Sequence, residues 1–177
     1  MPDTRPILLI EDDRVDVMTV ERALRQLRVP NQLVRTTNGE QALEYLKNEN
    51  NELPCVILMD LNTPKMNGME FLQIIKTQES LKDIPIVVMS TSDERQDIDA
   101  AAQFGIVKYL VKSLGYEKFV EALSTIEQLW SSPELPPGRI LENRKPRSLP
   151  IENNRTAQTP ENSPDCAAKR IISSKSP

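Results

Sequence analysis

Five short apolar runs break up the first 131 residues, and the chain between them is amphipathic. "PILLIEDD" (6–13) carries a continuous apolar run and reads as a buried strand. Val17, Val20, Leu24 and Leu27 follow at spacings of 3, 4 and 3, one face of a helix. "QLVRTT" (32–37) is a shorter, more polar strand of the kind that suits an edge. "NGEQALEYLKN" (38–48) is helical, with Asn38 as its cap and Glu40 in the first turn. "CVILMD" (55–60) and "IPIVVMS" (84–90) are further apolar strands, with the helix "GMEFLQIIKTQE" (68–79) between them. "DERQDIDAAAQF" (93–104) is a helix with early acids, closed by Gly105. "IVKYLVK" (106–112) is the last strand. "YEKFVEALSTIEQLW" (116–130) reads as one last helix, with Phe119, Leu123, Ile126 and Trp130 spaced 4, 3 and 4.

Five strands alternating with five helices predict right-handed crossovers and an α/β fold, a doubly wound parallel sheet covered on both faces. Continuous apolar texture in strands one, three and four marks them as central. The five-stranded, flavodoxin-like order is 2-1-3-4-5, and its ligand crevice lies past the carboxyl ends of strands one and three.

Composition changes after Trp130. Residues 132–177 hold no aromatic residue and eight of the fourteen prolines, with a net charge of +3 against −7 for residues 1–131. Such a segment buries too little apolar surface to offset its chain entropy. The chain therefore divides into a domain at 1–131 and a disordered, Pro-rich tail at 132–177. "RKPR" (144–147) is its candidate docking segment, set against a solvated extension with no specific role. The overall charge of −4 gives no basic face for nucleic acid. No apolar stretch reaches the length of a membrane span, and the N-terminal run is too short for a signal peptide. Cys55 and Cys166 have no metal spacing and suggest no disulfide framework, so a reducing cytoplasm is the expected location. Cys55 reads as a small core residue. The absence of histidine excludes His-based triads and a self-contained phosphohistidine.

The expected crevice is chemically rich. Strand one ends in Glu11, Asp12 and Asp13, and strand three ends in Asp60. At least three carboxylates converge, and their repulsion has to be relieved by protons or a cation. Oxygen ligands completed by water suit Mg²⁺ or Mn²⁺. Strand four ends in Ser90, Thr91 and Ser92, which bring hydroxyls. Strand five ends in Lys112, a point charge suited to a phosphoryl oxygen. This set fits phosphoryl transfer, with a carboxylate as nucleophile. Neither GxxxxGK[ST] nor GxGxxG occurs, so ATP or a dinucleotide is not the expected donor.

"LLIEDD", "MDLNTPKMNG", "VVMSTS" and "KYLVK", in that order and on those elements, resemble a response-regulator receiver domain over about Pro6 to Trp130. "LNTPKMNG" and "MSTSD" further resemble the stand-alone regulators of bacterial phytochrome-type sensor kinases. The resemblance implies Asp60 as phosphoacceptor. It implies Glu11 and Asp12 as the Mg²⁺ pair, Asp12 the more direct ligand, with the Asn62 carbonyl completing the shell. Ser90 matches the switch hydroxyl and Lys112 the lysine that meets the phosphoryl oxygens. Tyr109 matches an aromatic switch, with an ordinary edge residue as its alternative. Asp13 lies outside the pair and reads as a helix cap. Gly68 fits a tight turn, and Pro64 and Lys65 shape the loop.

The implied function is a single-domain regulator that takes a phosphoryl group from a sensor histidine kinase docked near the first helix. It is not an enzyme with a separate substrate. Its output face, helix four with strand five and helix five, would dimerise or bind a target, or the group would be relayed onward. One departure is Lys112-Ser113, where the family carries Lys-Pro with a cis bond; without proline a cis bond costs roughly 3 kcal/mol. That departure is what favours the alternative, a receiver-like adaptor that binds partners without phosphorylation. An aspartyl-phosphate phosphatase would need a second Asp where Asn62 stands. A flavodoxin-like cofactor binder would need a phosphate cradle after strand one.

Overall fold

A computed structural model describes residues 3–112 and 115–131. The tail at 132–177, with "RKPR", and the Lys112-Ser113 bond lie outside the described residues.

Strands β1 (Ile7–Ile10), β2 (Leu33–Thr36), β3 (Val56–Asp60), β4 (Ile86–Ser90) and β5 (Lys108–Val111) form one parallel sheet in the order β2-β1-β3-β4-β5. Helices α1 (Arg14–Gln26), α2 (Gly39–Lys47), α3 (Gly68–Thr77), α4 (Arg95–Ala102) and α5 (Tyr116–Ser124) alternate with them. The fold class and strand order are those expected from the sequence.

The apolar runs are continuous because successive side chains of a strand serve opposite faces. Ile7, Leu9, Val56, Leu58, Val87 and Met89 point to one side, under Val17, Val20, Leu24 of α1 and Phe119, Leu123 of α5. Leu8, Ile10, Ile57, Met59, Ile86 and Val88 point to the other, against Leu43, Leu46, Phe71, Leu72 and Ile75 of α2 and α3. Every residue of β1, β3 and β4 is buried, whereas β2 and β5 are mostly half-buried edges. Cys55 belongs to the first cluster, and burial pushes its thiol up to about 12.

The last helix departs from the expected single element. It stops at Ser124, and a separate short helix, α6 (Gln128–Ser131), follows, making six helices among the described residues. The Ser124 and Thr125 hydroxyls donate back to the carbonyls of Glu121 and Ala122, at 2.6 Å each. Beyond them, Ile126, Glu127, Leu129 and Trp130 donate to carbonyls three residues back, a tighter winding. The apolar period survives, since Ile126 and Trp130 still reach the core.

Candidate functional site

The carboxyl end of the sheet carries the polar groups. Asp60 is the last residue of β3 and stays buried because β1 and β4 flank it; its register partner is Met89. Its Oδ1 accepts from the Asn62 backbone N–H at 3.0 Å. Glu11 follows β1 directly. Its N–H continues the ladder to Thr36 O, and its side chain is fully buried. Lys112 follows β5 and reaches over the end of β4 to both acids.

The Lys112 ammonium lies 2.5 Å from Glu11 Oε2, 2.8 Å from Asp60 Oδ2 and 2.7 Å from Asp16 Oδ2. Burial alone would lower the lysine's pKa, but the three carboxylates outweigh it and the net shift is upward. Lys112 therefore keeps its charge across the physiological range. Glu11 behaves in the opposite sense. Its burial raises the carboxyl above the usual range, and Lys112 offsets only part of that.

The structure gathers Glu11, Asp60 and Lys112 into one crevice. Asp12, the expected direct ligand, is exposed and stands outside the tight cluster, with its carbonyl accepting from Arg35 Nη2 at 3.2 Å. The third carboxylate is Asp16, on the first turn of α1, and one oxygen each of Glu11, Asp16 and Asp60 lies within 4.8 Å of the others. Asp16 escaped the sequence reading because an acid in a first helical turn is ordinary. Its signal was its place one residue before Val17, beside the buried stripe of α1. Asp13 caps α1 as expected, accepting from the N–H groups of Val15 and Asp16.

Ser90, the last residue of β4, is fully buried, and its Oγ accepts from Ser92 N–H at 3.2 Å; Thr91 is exposed. Tyr109 is half-buried and its hydroxyl donates to Ser92 O at 3.0 Å. Hence the loop after Ser90 is held by side-chain bonds. The loop after Asp60 is held differently. Gly39 N–H donates to Met66 O at 3.2 Å, Gly68 N–H donates to Leu61 O at 2.9 Å, and Thr63 Oγ1 donates to Met66 O at 2.9 Å. Lys65 sits there at φ +65°, a local strain absorbed by the loop. Gly68 is required for close approach rather than for its φ. A Cβ there would meet Leu61 Cα at 2.7 Å and Asp60 O at 2.8 Å.

The acids offer only oxygen donors, and Glu11 and Asp60, at the two strand ends, are close enough to share one ion, with Asp16 beside them. That chemistry fits a hard divalent cation such as Mg²⁺ or Mn²⁺.

Comparison with known proteins places the chain in a family. The family model described as "Response regulator receiver domain" matches residues 7–124. The response regulator Rcp1 of Synechocystis is 34% identical over 128 residues, covering 70% of this chain and 87% of that protein. The probable methanogenesis regulatory protein FilR2 of Methanothrix harundinacea is 33% identical over 135 residues, covering 75% and 87%. Among solved structures, the phosphorylated cyanobacterial phytochrome response regulator RcpA aligns with TM-score 0.66 at 34% identity, over 75% of this chain and 98% of that one. The Mn²⁺-bound form of Rcp1 aligns with TM-score 0.66 at 33% identity, over 75% and 99%. Among the described residues no helix is long and apolar enough to cross a membrane.

Proposed function

The chain belongs to the response-regulator receiver family of two-component signalling, and on that premise we propose that it accepts a phosphoryl group on Asp60 from the phosphohistidine of a sensor kinase. The observation that carries this reading is the Lys112 ammonium bridging Asp60 and Glu11 at the sheet's carboxyl end. Similarity to Rcp1 and RcpA supports a phytochrome-type kinase as the donor.

In the proposed step an Asp60 oxygen attacks phosphorus, the phosphorus–nitrogen bond breaks, and the imidazole keeps the electron pair. The transition state is loose and highly charged, so positioning and neutralisation do most of the catalysis. Asn62 N–H holds one Asp60 oxygen in place, and Lys112 can follow the other as charge moves to the phosphoryl oxygens. Ser90 then turns its hydroxyl to the new group. The metal would be held by Glu11 and Asp60, with Asp12 and the Asn62 carbonyl completing the set, and when bound it neutralises charge on the transferring phosphoryl oxygens. No separate substrate is turned over.

Signalling follows because the phosphoryl group makes contacts in one conformation that it lacks in the other. The Ser90 loop and Tyr109 are the proposed moving parts, and the face of α4, β5 and α5 is the proposed output surface, for a second copy or a downstream target.

The test is intact-protein mass after incubation with a small-molecule acyl phosphate, with and without Mg²⁺, on the native chain and on Asp60→Asn. A Mg²⁺-dependent gain of one phosphoryl group, absent from the variant, is expected. No gain with the acyl phosphate or with a cognate kinase would favour the non-phosphorylated adaptor.

A further inference from the structure

Lys112 is held by three anions that are not equivalent. Glu11 is fully buried and Asp60 nearly so, at the ends of β1 and β3, whereas the Asp16 side chain on α1 is 34% exposed. An ammonium has three N–H donors, and the three contacts use all of them. Glu11 and Asp60 are also two of the oxygen donors that a divalent cation would take. A dication and an ammonium at such separations repel strongly, so Lys112 has to give up those two partners when the cation loads. Asp16 is the partner it can keep. On that side a cavity of about 310 Å³ opens between α1 and α5, lined by Thr19, Arg22, Tyr116 and Phe119 as well as Asp16 and Lys112. It has room for water to meet the ammonium's two released donors.

We infer that Asp16 is a holding post for Lys112, which retains the ammonium while a dication occupies Glu11 and Asp60 and thereby favours metal loading without ligating the ion. Before loading, the contact of Asp16 with Lys112 is offset by repulsion from Glu11 and Asp60, whose oxygens lie within 4.8 Å of its own, and a dication on those two acids lifts that repulsion. Asp16 is therefore worth more to Lys112 after the cation enters than before, and only such a difference can shift an equilibrium. The post also keeps Lys112 within reach of Asp60, ready for the phosphoryl oxygens. Asp16 is thus a positioning residue that acts through Lys112.

This inference rests on the proposed function, and its test reads metal uptake rather than phosphorylation. Mn²⁺ binding to the full 177-residue chain is measured by calorimetry for native, Asp16→Asn, Lys112→Met and the double variant. Asp16→Asn is expected to weaken Mn²⁺ by about threefold or more in the native background, and to lose that effect once Lys112 is Met, the signature of coupled neighbours. A loss that persists in the Lys112→Met background would overturn the inference, because Asp16 would then act as a ligand or a bare charge. Unchanged or tighter binding in Asp16→Asn would overturn it too. Asp16→Ala repeats the cycle, with thermal unfolding reporting that each variant is folded. A native chain that takes up no Mn²⁺ would sink the metal reading of the proposed function together with this one, whereas the other adverse outcomes sink this one alone.

Discussion

Lys112 Nζ lies 2.8 Å from Asp60 Oδ2, although β4 runs between the strands that lead to them. β4 ends in Ser90, so the strand end between them carries only a small hydroxyl side chain. An ammonium on one strand end thus meets a carboxylate two strands away, and the sheet's edge and centre share one electrostatic site.

Glu11→Gln separates what the site needs from what the fold prefers. Burial first, and Asp60 as a further repulsion, hold the Glu11 carboxyl above its ordinary range. A raised folded value means stability that is fully present below the unfolded value and is lost as pH rises through the folded one. Without added metal, the Gln variant is therefore expected to melt above the native chain near neutral pH, with the gap closing as pH falls towards 4. Its phosphoryl uptake should fall by about tenfold or more. Thermal midpoints across that pH range, in chelator, check the first half, and the mass assay checks the second.

Asp12 and Asp13 are neighbours with opposite expected phenotypes. Asp13→Ala removes the cap of α1 and should cost about 1 kcal/mol, read from urea unfolding, with Mn²⁺ affinity near native. Asp12→Asn should leave the unfolding midpoint nearly unmoved and weaken Mn²⁺. Reversed phenotypes would reassign the acidic pair.

Gly68→Ala puts a methyl group into the backbone of the very strand end that carries Asp60. Neither Leu61 nor Asp60 can yield without moving the loop, so a cost of about 2 kcal/mol and slower phosphorylation are expected. Gly105→Ala is the control. Nothing lies within 4 Å of its Cβ, and only its φ of +66° is strained, so about 1 kcal/mol should be lost with phosphorylation intact.

Tyr109→Phe deletes the hydroxyl that donates to Ser92 O. The expected cost is about 1 kcal/mol. Amide hydrogen exchange should quicken across residues 91–94, while uptake at Asp60 stays near native. Unchanged exchange there would show that the ring alone holds the loop.

Much of this could be read from residue order. Apolar runs of strand length alternating with helical periods fixed the topology, and a sheet of known order makes strand ends neighbours without any coordinates. Asn38 and Asp13 declared themselves as caps because a short polar side chain before a helical period has one common use. What stayed hidden depends on local competition or on direction. Thr125 sits inside a regular apolar helical period, yet its hydroxyl competes for a carbonyl and the winding changes. Asp12 and Asp16 are both acids near a strand end, but Asp12 precedes α1 whereas the phase of α1 turns Asp16 toward Lys112. Gly68 was legible as necessary but not why, since close approach to Leu61 is a tertiary fact.

The two loops that border Asp60 and Ser90 are built to unequal stiffness. One is pinned to α2 and to its own strand by main-chain bonds at Gly39 and Gly68; the other hangs on hydroxyls at Ser90, Ser92 and Tyr109. Such a crevice works like a vice with one fixed jaw. On the proposed function, charge arriving at Asp60 would displace the side that yields, giving the message a direction before any partner is present. Stiffening the soft jaw would silence the output while leaving the acceptor chemistry intact.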